Sequence, residues 1–348
     1  MSLIRVIMLF RPFRVDKPDD KCHIFAPFSG RKHPSSTMTR RHFTRRAFAL
    51  SGLALFAPTA TFAGGLEVAT AFGPMSIPAA PERIVALDAA AAVAANYGLK
   101  PVGVTAVSRT SLTEAGAQTL RDIPVIGAST YGGQLRYEAI LALRPDLIVG
   151  MVRGGADHSA LYRKLSAIAP TVLIQSEGAG ALLETSDALA AAMGLEAQAR
   201  SDRDVYNARV AACRERWSDA LQRGPLAVIS GRDRQILIHS PISWTGRIFR
   251  DIGAALPPVA RTDEANGVQL SYEEVDELAD VQGFVYPTLD GQPSPEVQPV
   301  LNLPGFRRLP AVRLGRLTGL SDIWPEMHLT ANRFLDGLDT LMNKLDAG

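Results

Sequence analysis

The sequence predicts an α/β protein of two lobes, each built on a mainly parallel sheet, joined by one long helix. Three observations carry this. Short apolar runs alternate with helix-patterned stretches through residues 84–174, the spacing of a parallel sheet covered on both faces. Residues 196–221 then run 26 residues without glycine or proline. At ~1.5 Å per residue that is a rod of ~39 Å. After Gly224-Pro225 stops the rod, strand–helix alternation begins again.

In chain order, the first lobe has strands at 84–87, 102–105, 124–127, 147–150 and 171–174. Helices fall at 89–97, 135–143 and 159–169, and a further helix over 181–193 ends near Gly194. The second lobe has strands at 226–230, 235–239, 283–286 and 313–317, with helices at 245–253, 271–280 and 327–342. Ser271 followed three residues later by Glu274 is a capping-box helix start. The resulting division is a leader at 1–63, a first lobe at 64–195, a linker helix at 196–222 and a second lobe at 223–348.

The leader reading rests on charge and hydropathy. Of the 37 Lys+Arg and 35 Asp+Glu in the chain, residues 1–63 hold 11 and 3, which leaves a body of 26 basic and 32 acidic residues. A mildly acidic body lacks the basic footprint that nucleic-acid binding requires. Arg40, Arg41, Arg45 and Arg46 precede an apolar stretch over 47–57, and Thr61 and Ala63 fit the positions before a signal cleavage. That is the layout of an export signal, too short to span a bilayer as a helix. Two twin-arginine pairs, TRRHF at 39–43 and TRRAF at 44–48, predict the route that carries folded proteins, with Met38 as an alternative start. No cysteine sits at the cleavage point, so no lipid anchor is expected. The expected location is the periplasm. Cleavage removes Cys22 and leaves Cys213 alone, so the fold must rest on its core.

Several segments resemble the periplasmic binding proteins that carry ferric siderophores, haem and corrinoids, especially the iron–hydroxamate branch. They are PERIVALD at 81–88, GLKPVGV at 98–104, YEAILALRPDLIV at 137–149 and LPAVRLGRL at 309–317. The resemblance implies two lobes around a shallow site and a rigid linker helix. It also implies delivery of ligand to an inner-membrane ABC permease with its ATPase. The expected ligand is a ferric siderophore, with iron present only inside that complex and no other cofactor or metal, and the expected state is a monomer.

Ligands of open α/β sheets bind beyond the carboxyl ends of the strands. The loops there contain Arg109, Tyr131, Arg153, Arg232, Arg234, Trp244 and Trp324. Guanidinium groups donate forked hydrogen bonds to the oxygens of an iron chelate, and indole rings give a flat apolar wall with one donor. Trp324 matches a ligand-facing tryptophan of the family. Ser129 stands where the hydroxamate branch has arginine, Asn266 falls where it has a second tryptophan, and alanines at 89–92 replace an aromatic. These departures point to a smaller or more carboxylate-rich siderophore. The resemblance also implies permease docking through one acidic residue per lobe, Asp157 in the first and Glu273 or Glu274 in the second.

No dinucleotide, P-loop, nucleophile-elbow or zincin motif occurs, and no nucleophile–base pair is displayed, so a binding protein and not an enzyme is expected. Three readings stand beside the siderophore carrier. They are a haem or corrinoid carrier using Tyr131 or His158, a secreted α/β enzyme, and a sensor subunit for the same ligand.

Overall fold

A computed structural model describes residues 65–132 and 135–346. The leader reading falls outside the described residues. The first lobe opens with an antiparallel hairpin, β1 (Leu66–Thr70) and β2 (Gly73–Ile77), which the sequence reading missed. The chain continues through β3 (Ile84–Ala86), α1 (Ala89–Asn96), β4 (Gly103–Val104), α2 (Glu114–Leu120), α3 (Tyr137–Ala142), β5 (Leu147–Arg153), α4 (Ser159–Ser166), β6 (Thr171–Ser176) and α5 (Leu182–Ala192). The sheet order is β4-β3-β5-β6, and every pair is parallel. Six of the seven β5 residues are buried, as a sheet covered on both faces requires. Alanines of α1 pack with α5 residues on one face, around Val149 and Val172. Ile140 of α3 and Leu165 of α4 close the other, around Val85 and Ile148. The 124–127 stretch pairs only through isolated bridges, Val104 with Val125 and Gly127 with Leu135.

The long helix α6 (Glu196–Arg216) has 21 residues, about 31 Å at the usual rise. It buries a single stripe, Ala199, Tyr206, Val210 and Cys213. The uninterrupted rod to residue 221 is corrected: the helix breaks at Trp217, and α7 (Ser218–Gln222) follows. Trp217 is 1% exposed and packs in the second lobe's core. Burying that large indole outweighs continuing the helix, so the break is set by tertiary packing rather than by a breaker residue.

The second lobe comprises β7 (Leu226–Arg232), β8 (Gln235–His239), α8 (Trp244–Ile252), β9 (Gly267–Ser271), β10 (Gly283–Leu289), β11 (Gln292–Pro293), α9 (Gln298–Asn302), α10 (Pro304–Arg308), α11 (Pro310–Arg313), β12 (Leu317–Leu320) and α12 (His328–Asp346). Its sheet is mixed. Strands β7, β10 and β12 are parallel neighbours, while β8, β9 and β11 add antiparallel pairs. The strand expected at 313–317 lies later. Pro310 opens a short helix, Gly315 turns the chain at φ 68°, and pairing starts at Leu317. The stretch after Ser271 is a 3₁₀ turn over Tyr272–Leu278 carrying the predicted capping box. Among the described residues no helix is long and apolar enough to cross a membrane.

The lobes are fastened through α8. Arg247 donates to the Gly180 carbonyl at 3.2 Å and pairs with Glu184 at 2.7 Å, both in the first lobe. It also pairs with Asp251 on its own helix at 2.8 Å, and Asp251 accepts the Tyr206 hydroxyl of α6 at 2.9 Å. A second tie joins His328 of α12 and Arg203 of α6 to Asp187 of α5, at 3.1 and 3.0 Å. Arg247→Ala should lower unfolding free energy by about 2 kcal/mol, since it leaves partly buried acceptors unpaired. Arg247→Lys should recover only part, because an ammonium has no fork. Urea unfolding midpoints check this, and an alanine effect below about 0.5 kcal/mol, the range of ordinary surface substitutions, would count against the clamp.

Candidate functional site

Strand β3 delivers Asp88 to the start of α1 with φ 52° and ψ −124°, a sparsely populated region for a residue with a side chain. By position Asp88 is a helix N-cap, yet its carboxylate makes no capping bond. Instead it accepts from the Thr130 amide, at 3.2 and 3.3 Å to its two oxygens, and from the Thr130 hydroxyl. Its own amide donates to Thr105 Oγ1 at 2.6 Å. Asp88 therefore ties the loop around residue 130 to the end of β3, and that loop presents Tyr131. Desolvation pushes the Asp88 carboxyl above the usual range, against the lowering effect of its hydrogen bonds.

Arg153 ends β5 with its guanidinium 4.5 Å from the centre of the Tyr131 ring. Tyr131 is 38% exposed and Arg153 is exposed, so the stack has an open side. Burial, with the Asp88 charge behind it, raises the Tyr131 phenol, while Arg153 opposes the rise. The His158 ring nitrogen Nε2 lies 2.9 Å from the Arg153 carbonyl. A carbonyl only accepts, so this nitrogen carries the proton and the ring braces the turn.

The second lobe contributes Trp244 and Trp324. Trp244 opens α8, whose N-cap Ser243 accepts from the Gly246 amide at 3.0 Å. Only glycine fits at 246, because a Cβ there would stand 1.9 Å from the Ser240 carbonyl oxygen. Trp244 packs on the first lobe's core, and its shielded indole N–H has no hydrogen-bond partner among the described residues. Trp324 is partly buried, its ring tilted against His239 with centroids 6.3 Å apart. His239 is buried, and its Nδ1 lies 2.7 Å from the Thr245 hydroxyl.

After Trp324 the chain passes into the first lobe. Met327 joins the core around α1 and lies 3.3 Å from the Asn96 amide nitrogen. Between Trp324 and Met327 in the chain lies Glu326. Burial pushes its carboxyl up, and the nearby Asp88 charge adds to the rise. Asp88 and Glu326 were missed in the sequence, since each sits where a helix-start acid is unremarkable.

The other expected residues have local partners. Arg109 pairs with Glu114 at 2.6 Å, both exposed. Arg232 lies 3.6 Å from Asp233, and Arg234 occupies a left-handed turn at φ 62°, so this pair shapes the tip between β7 and β8. Asp157, one residue before the His158 N-cap of α4, accepts from the Ser159 amide at 2.8 Å, and the Ser159 hydroxyl and amide together lower its carboxyl. Glu274 closes the capping box by accepting from the Ser271 amide at 2.8 Å, and Glu273 beside it is exposed.

Two α/β lobes linked by one helix and tied across their seam by Arg247 define a bilobal fold. The chain belongs to the periplasmic binding protein family, whose sequence profile matches residues 84–323. The Fe(3+) dicitrate-binding periplasmic protein FecB of Escherichia coli is 27% identical over 191 residues, 53% of this chain. That match spans 60% of FecB's own length. The siderophore periplasmic binding protein from the fuscachelin gene cluster of Thermobifida fusca superposes with a TM-score of 0.70 at 29% identity, covering 78% of this chain and 99% of that one. Staphylococcus aureus SirA, solved with staphyloferrin B, shares the fold at TM-score 0.60 and 22% identity, over 80% of this chain and 98% of its own.

Burial holds the pKa of His239 down at about 4, against 6.5 for a free imidazole. The folded state then binds fewer protons than the unfolded one between these values, so stability is full above about pH 6.5 and falls as pH drops towards 4. The loss should reach roughly 2 kcal/mol at pH 5. His239→Asn, which keeps a polar atom towards Thr245, should remove that part of the pH dependence in denaturation curves at pH 7 and pH 5. Equal pH dependence in both proteins would show that the imidazole titrates freely.

Proposed function

We propose that this protein captures a ferric siderophore between its lobes and delivers it to an inner-membrane ABC permease with its ATPase. The observation that carries this reading is the superposition of this chain on 99% of a siderophore periplasmic binding protein at 29% identity, and the open Tyr131–Arg153 stack at the end of β5 supports it. An iron chelate presents oxygen atoms around its metal and an apolar periphery. A stacked guanidinium meets the first and aromatic faces meet the second. We further assign periplasmic residence, export by the twin-arginine route and monomeric action, with Asp157 and the exposed Glu273–Glu274 edge as permease contacts. Their role is binding and not catalysis.

Tryptophan fluorescence of residues 64–348 tests this reading, since Trp244 and Trp324 are only partly buried whereas Trp217 is fully buried in the second lobe. Ferric hydroxamate, catecholate and citrate-type siderophores, haem and cobalamin form the panel. One ferric siderophore should quench saturably at submicromolar concentration. Trp324→Ala should weaken it ~10- to 100-fold, the usual cost of removing an aromatic anchor. Saturation by haem or cobalamin alone would replace the ligand. A folded protein that answers to none of them would sink the carrier reading.

A further inference from the structure

An aspartate at a helix start ordinarily turns its carboxylate onto the free amides of the first turn. Asp88 does not. It precedes α1 without a side-chain capping bond, at φ 52° and ψ −124°, a backbone conformation unfavourable for any residue with a Cβ. Its bonds run to neighbouring segments instead. The Asp88 amide donates to Thr105 Oγ1 at 2.6 Å, one residue past β4. Its carboxylate accepts from the amide and the hydroxyl of Thr130. The stretch leading to Thr130 lies in no strand ladder and pairs through isolated bridges, and Thr130 opens a single 3₁₀ turn over Thr130–Gly132.

That turn carries Tyr131. Its amide donates to Ser129 Oγ at 3.1 Å, and the Arg153 guanidinium lies 4.5 Å from the centre of its ring. Both side chains are exposed, and a cation–aromatic contact in the open is too weak to place a loop by itself. Arg153 is held from its own side, by the end of β5 and by the His158 ring on its carbonyl. Strand β5 is the parallel neighbour of β3, with Ala86 opposite Val149. Asp88, two residues beyond Ala86, therefore brings Tyr131 to Arg153 by holding its turn at the end of the adjacent strand.

We propose that Asp88 is a positioning residue for ligand binding: through Thr130 it sets Tyr131 against Arg153, so that the aromatic face and the guanidinium meet the ferric chelate as one preformed surface. This rests on the carrier reading above, with Tyr131 and Arg153 as ligand contacts. The unused helix cap and the unfavourable backbone are what this arrangement costs. A contact surface ordered before the ligand arrives is what it gains.

The test reads affinities for ferrichrome, ferric enterobactin and ferric dicitrate by tryptophan fluorescence on the full chain. The chelate that saturates wild type is carried through the variants, and thermal unfolding shows that each is folded. Asp88→Gly removes the carboxylate while allowing the backbone conformation. It should weaken binding about tenfold, the loss of a charge-assisted contact. In the free protein it should speed exchange of the Thr130 amide proton at least about tenfold. Thr130→Val, which lacks the hydroxyl, should bind about fivefold weaker, and Thr130→Ser, which restores it, within about twofold of wild type. The decisive variant combines two changes. Tyr131→Ala alone should bind about tenfold weaker, and adding Asp88→Gly to it should change affinity by less than about twofold, because the route through Tyr131 is already gone. A purely structural role would lower affinity by the same factor in both backgrounds, and that result overturns the inference. Wild-type affinity in Asp88→Gly or in Tyr131→Ala overturns it as well. Each of these leaves the carrier reading standing, whereas a wild type that binds none of the three chelates removes both.

Discussion

The seam between the lobes governs what the rest of the molecule can do, and Arg247 is its centre. One guanidinium spends its fork on a carbonyl and a carboxylate of the first lobe and on Asp251 of its own helix. Asp251 is held in turn by Tyr206 of the linker helix. A planar group with five donors is the side chain that can bridge three elements at once. The Asp187 tie among α5, α6 and α12 adds a second fixed point. Two such points tie the lobes to each other and to the linker helix.

The site draws its precision from strands and its chemistry from the ends of them. Strands β3 and β5 lie buried in a sheet covered on both sides, and they hold Asp88 and Arg153 at their carboxyl ends. Asp88 then fixes the loop that carries Tyr131 through three contacts to Thr130. A rigid scaffold with functional loops at its rim is the usual division of labour in α/β proteins. On the other side, the Trp324 segment ends in Met327, buried in the first lobe. The four residues from Trp324 to Met327 thus stitch the two cores together.

Much of the fold was legible because hydropathy period reports burial. The apolar runs at 84–87, 147–150 and 171–174 became β3, β5 and β6, and the Ser271–Glu274 pair closed its capping box. The failures have physical causes. The linker helix ended at Trp217 because a core in another part of the chain took the indole. The last strand shifted to Leu317 because Pro310 started a helical turn first. Two-residue pairings such as β11, and strands paired by only one bridge, leave too short a pattern to read. For the candidate site, strand ends and residue chemistry proposed Tyr131, Arg153, Trp244 and Trp324, but not that Arg153 lies on the Tyr131 ring.

What the sequence determined by itself was therefore local and periodic: the alternation that makes two α/β lobes, the helix between them, the loops at the strand ends, and the side-chain types those loops carry. These depend on near neighbours in the chain, whose spacing is fixed by helix and strand geometry. The tertiary structure alone decided that Asp88 turns from its helix to Thr130, that Arg153 lies on Tyr131, and that Met327 meets Asn96. Asn96 and Met327 are separated by 231 residues. Contacts of that kind arise from the packing of whole elements, and no periodicity in the chain records them.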